Sequence, residues 1–424
     1  MIRSVLARRT RLMDRLDEFE NLYDQKEPRI HAFIQEPNRF ERIRRDAKAL
    51  QRRHPDPERR PPLYGLLLGV KDIFHVDGFS TGAGSHLPAR ELKGKEAESV
   101  TKLKHAGMLV AGKTVTTEFA YFAPGATRNP HNPAHTPGGS SSGSAAAVAA
   151  GLVDLALGTQ TIGSITRPAS FCGVVGFKPS YGRIPTDGVI PLSPILDHVG
   201  LFSHYVELIS RVFPILLTEW KPISPAETKP FLAIPTGDYF GYADREMRTH
   251  FEMTVERLKT AGYQIIEKNP FKEFVSVADR HNLILAAQAA QVHAAWFAQY
   301  RHLYHRKTAE LIETGQKVSD AVLAQALLEV RQFALDLCTL MDIHGIDAWI
   351  SPAARGAAPR GLASTGDPVM NLPWTQAGFP TLSLPSGTNE NGLPLSLQIT
   401  ADFNRDEDLL AWGANIEKAL AVPQ

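Results

Sequence analysis

Pro137-Gly138-Gly139-Ser140-Ser141-Ser142-Gly143-Ser144 runs straight into Ala145-Ala146-Ala147-Val148-Ala149-Ala150, and a second hydroxyl-rich turn, Gly158-Thr159-Gln160-Thr161-Ile162-Gly163-Ser164, continues into Ile165-Thr166-Arg167-Pro168-Ala169. Two glycine turns, 138–144 and 158–164, thus bracket a small-residue helix over 145–150. Backbone amides and serine hydroxyls are held by a rigid element between them. That arrangement suits acyl transfer, which needs a nucleophile and donors for an oxyanion.

Other readings compete for the same residues. A glycine loop feeding a helix start also cradles phosphate, but such a loop wants a lysine after its closing glycine, and Gly143 is followed by Ser144. Gly139, Ser141 and Gly143 spell G-x-S-x-G, which requires a strand directly before it. What precedes it is Asn129-Pro130-His131-Asn132-Pro133-Ala134-His135-Thr136-Pro137, where three prolines remove backbone donors. A flexible linker would not lead into an alanine helix and a second ordered turn.

Upstream, Leu63 to Val70 reads as a buried strand that carries Lys71 at its C-terminal end. An ammonium at the end of so apolar a run is costly unless it is partnered or functional, although a lysine can also snorkel to the surface. Asp72, next in the chain, is expected to face the other side. Before this strand lie a helix over 4–24, with Val5, Leu12, Leu16, Phe19 and Tyr23 on one face, and a charged helix from Arg39 to Arg53. Pro55, Pro57, Pro61 and Pro62 then mark a surface loop.

Downstream, strand and helix alternate in the α/β manner: a helix over 96–106, a strand from Met108 to Ala111, the 145–150 helix, and a strand from Leu152 to Leu157. Phe171 to Ile190 is punctuated by Gly and Pro into short strands and turns. Phe231 to Ile234 reads as a strand, Asp244 to Ala261 as a helix, and Val277 to Met341 as mostly helical. Trp296, Tyr300, His302, Tyr304 and His305 could wall a pocket, but ordinary packing is the favoured reading for such a helix. Ala348 to Ser351 and Thr381 to Leu384 are late strands, and Asp406 to Leu420 is a closing helix.

Composition narrows the function classes. A chain of 424 residues with a formal net charge of +1 gives no electrostatic case for nucleic acid or a membrane surface. No apolar run is long enough to span a bilayer, and the N-terminal arginines come without the apolar stretch of a signal peptide. Two cysteines, Cys172 and Cys338, offer neither a disulfide framework nor a zinc spacing, which fits a reducing, cytoplasmic setting. His131 and His135 stand four apart, but Pro133 forbids the helix that would aim both at a metal. No metal and no cofactor are expected.

Gly138-Gly139-Ser140-Ser141 before the alanine helix, Gly158 to Ser164 with Arg167-Pro168-Ala169, and Gly69-Val70-Lys71-Asp72 upstream resemble the amidase signature family. The likeness runs from Leu63 to about Gly200, with a weaker echo over Gly378 to Pro385. It implies one large α/β domain, 1–424, whose central mixed, twisted sheet is covered by helices on both faces. Within it, 1–62 would be a helical segment packed on the domain, 63–200 the catalytic region, 205–345 a variable, substrate-facing helical region, and 346–424 returning strands with a final helix.

The resemblance also implies roles. Ser164 would be the nucleophile, Ser140 a bridge to Lys71 preceded by a cis peptide, and the amides of Thr161, Ile162, Gly163 and Ser164 the oxyanion hole. Gly138, Gly139, Ser141, Arg167 and Asp197 would support the site. Ser141 and Ser142 would cap the following helix or bond backbone, and His198 would be a packed histidine. With no histidine in these motifs, the base is Lys71, whose ordinary pKa of about 10.4 must fall toward neutrality, a change of about 4 kcal/mol. Ser142 and Ile162 stand where the family often has glycine, and Gln160 where some branches have an acid. Ile162 would be strained if its turn needed positive φ.

Three functions follow. The first is hydrolysis of a small-molecule carboxamide or related C–N bond through a Ser164 acyl-enzyme, by a protein working alone or as a homodimer. The second is the catalytic subunit of a glutamine-dependent amidotransferase acting on misacylated tRNA. The third is a non-catalytic relative whose oxyanion turn Ile162 has altered.

Overall fold

The computed structural model describes residues 11–217, 219–221 and 229–421. Ten strands form one sheet: β1 (Leu67–Lys71), β2 (Leu109–Thr114), β3 (Leu155–Gln160), β4 (Val175–Lys178), β5 (His198–Ser203), β6 (Leu232–Pro235), β7 (Ile265–Lys268), β8 (Ala348–Pro352), β9 (Thr381–Thr388) and β10 (Pro394–Ala401). Their order is β2-β1-β3-β5-β4-β9-β10-β8-β6-β7. Pairing is parallel in the two wings, β2-β1-β3 and β8-β6-β7, and antiparallel through the centre from β3 to β8. The sheet is therefore mixed, as the family resemblance implied.

Period-two alternation sends neighbouring side chains to opposite cores. Leu67, Leu109, Ala111 and Ala156 pack with Leu12, Leu16 and Phe19 of helix Leu12–Ile30, with Ile43 and Ala47 of helix Arg39–Arg53, and with Ala145 to Val148. Leu68, Val70, Val110, Leu155 and Leu157 join the core on the other face with Val100 and Leu103 of helix Glu98–His105 and Ile209 and Val212 of helix Val206–Leu216. Helices cover both faces because both sets of strand side chains are apolar. Tyr239, Phe271, Trp349 and Trp374 anchor a third cluster near the far wing.

Several boundaries differ from the sequence expectation. The first helix begins at Leu12 among the described residues, so Val5 and the start at residue 4 lie outside them. The 63–70 strand begins only at Leu67, because Leu63 to Gly65 form a turn with Gly65 at φ 74°. The strand expected to end at Leu157 runs on through Gly158, Thr159 and Gln160. It does so because β5 pairs with it antiparallel, placing Gly158 opposite Gly200, and a Cβ at Gly158 would lie 2.6 Å from Phe202. The second glycine turn is thus confined to 161–165. The 277–341 region divides into helices Phe274–Tyr300, Arg306–Gly315 and Asp320–His344.

Candidate active site

β1 lies between β2 and β3, and its last residue, Lys71, is fully buried. Its Nζ lies 2.8 Å from Ser140 Oγ and 2.7 Å from Thr159 Oγ1, with the Thr159 carbonyl at 3.5 Å. Burial pushes the Lys71 pKa well below the ordinary lysine value, and the Asp197 carboxylate opposes that shift in part. A neutral amine with hydroxyl neighbours can accept a proton as well as donate one. The lysine therefore has the environment of a base.

Ser140 follows the cis Gly139–Ser140 peptide. The chain here is braced by Arg167, fully buried, whose guanidinium donates to the carbonyl of Gly139 at 2.7 Å and to that of Gly366 at 2.8 Å. Burial lowers the Arg167 pKa to about 10, so it stays cationic. Ser142 Oγ donates to the Gly138 carbonyl at 2.8 Å, and Ser141 Oγ to that of Thr159 at 3.2 Å. These serines bond backbone, and neither caps helix Ser142–Ala149 with its side chain.

Ser164 sits just beyond β3, at the start of helix Thr166–Cys172, and lines a narrow crevice with Thr161, Ile162, Arg167, Ala120 and Phe122. No hydrogen bond joins Ser140 Oγ to Ser164 Oγ, and Ser164 Oγ has no hydrogen-bonding partner among the described residues. The Lys71–Ser140 link is formed; the Ser140–Ser164 link is open. The amides of Thr161, Ile162, Gly163 and Ser164 likewise meet no protein acceptor among the described residues. Three of these residues, Thr161, Ile162 and Ser164, line the crevice, and buried amides without an acceptor are unusual, since such groups are normally paired. Ile162 is not among the residues at positive φ, so this turn carries no such strain.

The turn is fixed from outside by its carbonyls and side chains, which leaves the amides free. His281 Nε2 donates to the Thr161 carbonyl at 3.0 Å, and burial depresses the His281 pKa to about 4, so the ring is neutral. Thr375 Oγ1 donates to the Ile162 carbonyl at 2.6 Å and accepts from Gln160 Nε2 at 2.9 Å. Gln160 Oε1 accepts from the amides of Ile165 and Thr166 at 2.8 and 3.0 Å. A carboxylate at position 160 could not donate to Thr375, which gives the amide a reason to be there. Asp197 accepts from Thr161 Oγ1 at 2.6 Å and from the amides of Leu192 and Ser193; burial raises its pKa to about 6.

Other candidates fall away from the crevice. Asp72 turns aside to a buried ion pair with Lys113 at 2.8 Å. His198 is buried and donates from Nδ1 to the Leu196 carbonyl. His131 and His135 bond separate carbonyls, those of Cys172 and Ala358. Tyr304 stacks on Phe119 with ring centroids 5.3 Å apart and bonds His293, Trp296 stacks on Phe119 and Tyr300 bonds Glu91, so these three are packing, whereas His302 and His305 are exposed at the surface. Thr159, His281 and Thr375 are additions that the sequence reading does not single out. Thr159 is visible inside the glycine motif, whereas nothing local marks His281 or Thr375, which reach the turn only through the fold.

A family model described as Amidase matches residues 18–410. A glutamyl-tRNA(Gln) amidotransferase subunit of Koribacter versatilis (strain Ellin345) is 31% identical over 85% of this chain and 86% of its own length. A crystal structure of an amidase superposes with a TM-score of 0.88 at 30% identity, covering 99% of this chain and 98% of the other. Native peptide amidase from Stenotrophomonas maltophilia gives a TM-score of 0.79 at 25% identity, covering 96% and 92%.

Proposed function

This chain belongs to the amidase family, and on that premise we propose that it hydrolyses a small-molecule carboxamide through an acyl-enzyme on Ser164. The observation that carries the reading is a wholly buried lysine whose neighbours are hydroxyls, one of them Ser140 at 2.8 Å. Neutral Lys71 takes the Ser140 proton as Ser140 takes that of Ser164, which turns its free hydroxyl toward Ser140 to close the relay. Ser164 Oγ bonds to the carbonyl carbon, and the oxyanion settles against the free amides of 161–164, each such donor contributing about 3 kcal/mol at the transition state. The relay then runs backward, the C–N bond breaks with its nitrogen protonated, and water repeats the cycle to release the acid.

Purified protein offered primary amides, anilides, biuret and allophanate should release ammonia or amine, and Ser164→Ala should lose this while remaining folded by circular dichroism. Near-normal turnover by Ser164→Ala would end the assignment.

A second reading is favoured by the likeness to a glutamyl-tRNA(Gln) amidotransferase: the same site would free ammonia from glutamine for a partner protein. Co-purification of that partner, together with turnover that requires charged tRNA, would select it over the free-standing amidase. No helix among the described residues is long and apolar enough to cross a membrane.

A further inference from the structure

Two larger cavities flank the Ser164 crevice, and they differ in chemistry. One, of about 450 Å³, shares Tyr121 and Phe122 with the crevice and is walled by Leu285, Ala286 and Leu311 of helices Phe274–Tyr300 and Arg306–Gly315. The other, of about 270 Å³, shares Ala120 and Leu192 with the crevice. Its floor is Thr159 and Asp197, its mouth Thr186 and Asp187, and no lysine or arginine lines it.

The proton path tells the two apart. When the C–N bond breaks, the nitrogen takes back the proton that left Ser164, so the nitrogen must lie on the Lys71–Ser140 side of the scissile carbon. Thr159 shares the Lys71 amine with Ser140 and is the floor of the smaller cavity. That cavity, at about 270 Å³, far exceeds the roughly 10–15 Å³ that a single water-sized group such as ammonia needs. Its charged lining is carboxylate only, and since Asp197 is already taken by Thr161, Leu192 and Ser193, the exposed Asp187 at the mouth is the one that favours a cation.

We propose that the smaller cavity takes the amine portion of the substrate and the larger one its acyl portion, so that the substrates are N-substituted amides whose amine portion carries a positive charge. The assignment rests on the amidase reading given above. Asp187, exposed at the mouth, draws the charged end in, and Thr186 and Val189 limit its width.

Three amides sharing one acyl group test this: the primary amide, the N-butyl amide and the N-(3-aminopropyl) amide. The aminopropyl compound should exceed the butyl compound at least tenfold in kcat/KM at pH 7, and Asp187→Asn should remove most of that preference. Thr186→Trp should cut the aminopropyl-to-primary ratio at least tenfold, whereas Leu285→Trp should shift preference along a series of acyl lengths. Asp187→Asn is isosteric and on the surface, so it remains informative if the tryptophan variants misfold. An aminopropyl compound no better than the butyl one, or a Thr186→Trp variant that alters acyl-length preference instead, would overturn the assignment and leave the amidase reading intact. Silence toward all three amides, with no labelling of Ser164 by a fluorophosphonate, would overturn the amidase reading itself.

Discussion

Lys71 and Lys178 close strands β1 and β4, and both are wholly buried. Burial depresses both, Lys178 to about 7. Their surroundings separate them. Lys178 donates to the carbonyls of Phe379 and Pro179, which can only accept, so its nitrogen is held as a donor. Lys71 meets the hydroxyls of Ser140 and Thr159, which can give up a proton as well as receive one. Desolvation makes a lysine neutral; only a partner with a proton to give makes it a base. A buried lysine is therefore weak evidence for catalysis until its neighbours are known.

The contrast can be broken by exchanging each amine for an apolar chain. Lys71→Met should lower kcat by about 10²–10⁴-fold, the usual worth of a general base. In the wild type, kcat/KM should rise with pH as Lys71 loses its proton and then level, while the residual rate of the variant stays flat across that limb. A variant that kept the rising limb would assign it to another group.

Lys178→Met should instead leave kcat near the wild-type value and cost stability, by about 1–3 kcal/mol, because two buried carbonyls lose their donor. Its pH signature has a definite sign. Folded Lys178 releases its proton near 7, whereas the unfolded chain keeps it to about 10.4, so between those values the unfolded state binds more protons and rising pH favours the fold. Wild type should therefore gain more stability than Lys178→Met between about pH 7 and 9.5 in urea titrations. Equal gains would show that Lys178 is charged in the native state.

Thr159→Val sharpens the comparison by leaving Lys71 only one hydroxyl. The loss of one hydrogen bond to the amine should reduce kcat by about tenfold, equivalent to about 1.4 kcal/mol, with KM less affected. A rise in KM with kcat unchanged would make Thr159 a contact for substrate alone.

Much of this is readable from sequence where the signal is local. Helix Arg39–Arg53 and the closing helix Asp406–Leu420 match their expected spans, and Arg245–Thr260 matches within a residue because Asp244 caps it through the amide of Met247. Around the glycine motifs, Lys71 meets Ser140, Arg167 the Gly139 carbonyl and Asp197 the Thr161 hydroxyl, while Ser164 lines the crevice with no bond to Ser140. Strands β5, β7 and β10 leave no such mark. β7 is short and only half-buried, and β10, though fully buried, has Ser396, Gln398 and Thr400 interleaved with its apolar residues. Those side chains are tolerated because the fold supplies partners, as Asn371 does for Gln398. The extension of β3 through Gln160 is hidden for a related reason: a glycine reads as a turn until a second strand is known to press on it.

The Ala32 carbonyl accepts from the amide of Val115, and a Cβ at Gly143 would lie 2.1 Å from that same oxygen. The N-terminal arm is thus the outer clamp on the serine loop and no mere appendage. A protease cut between Arg53 and Leu63 that released this arm would bare the alanine helix to water and slacken the loop carrying Ser140, so nicked protein should lose turnover before its sheet melts.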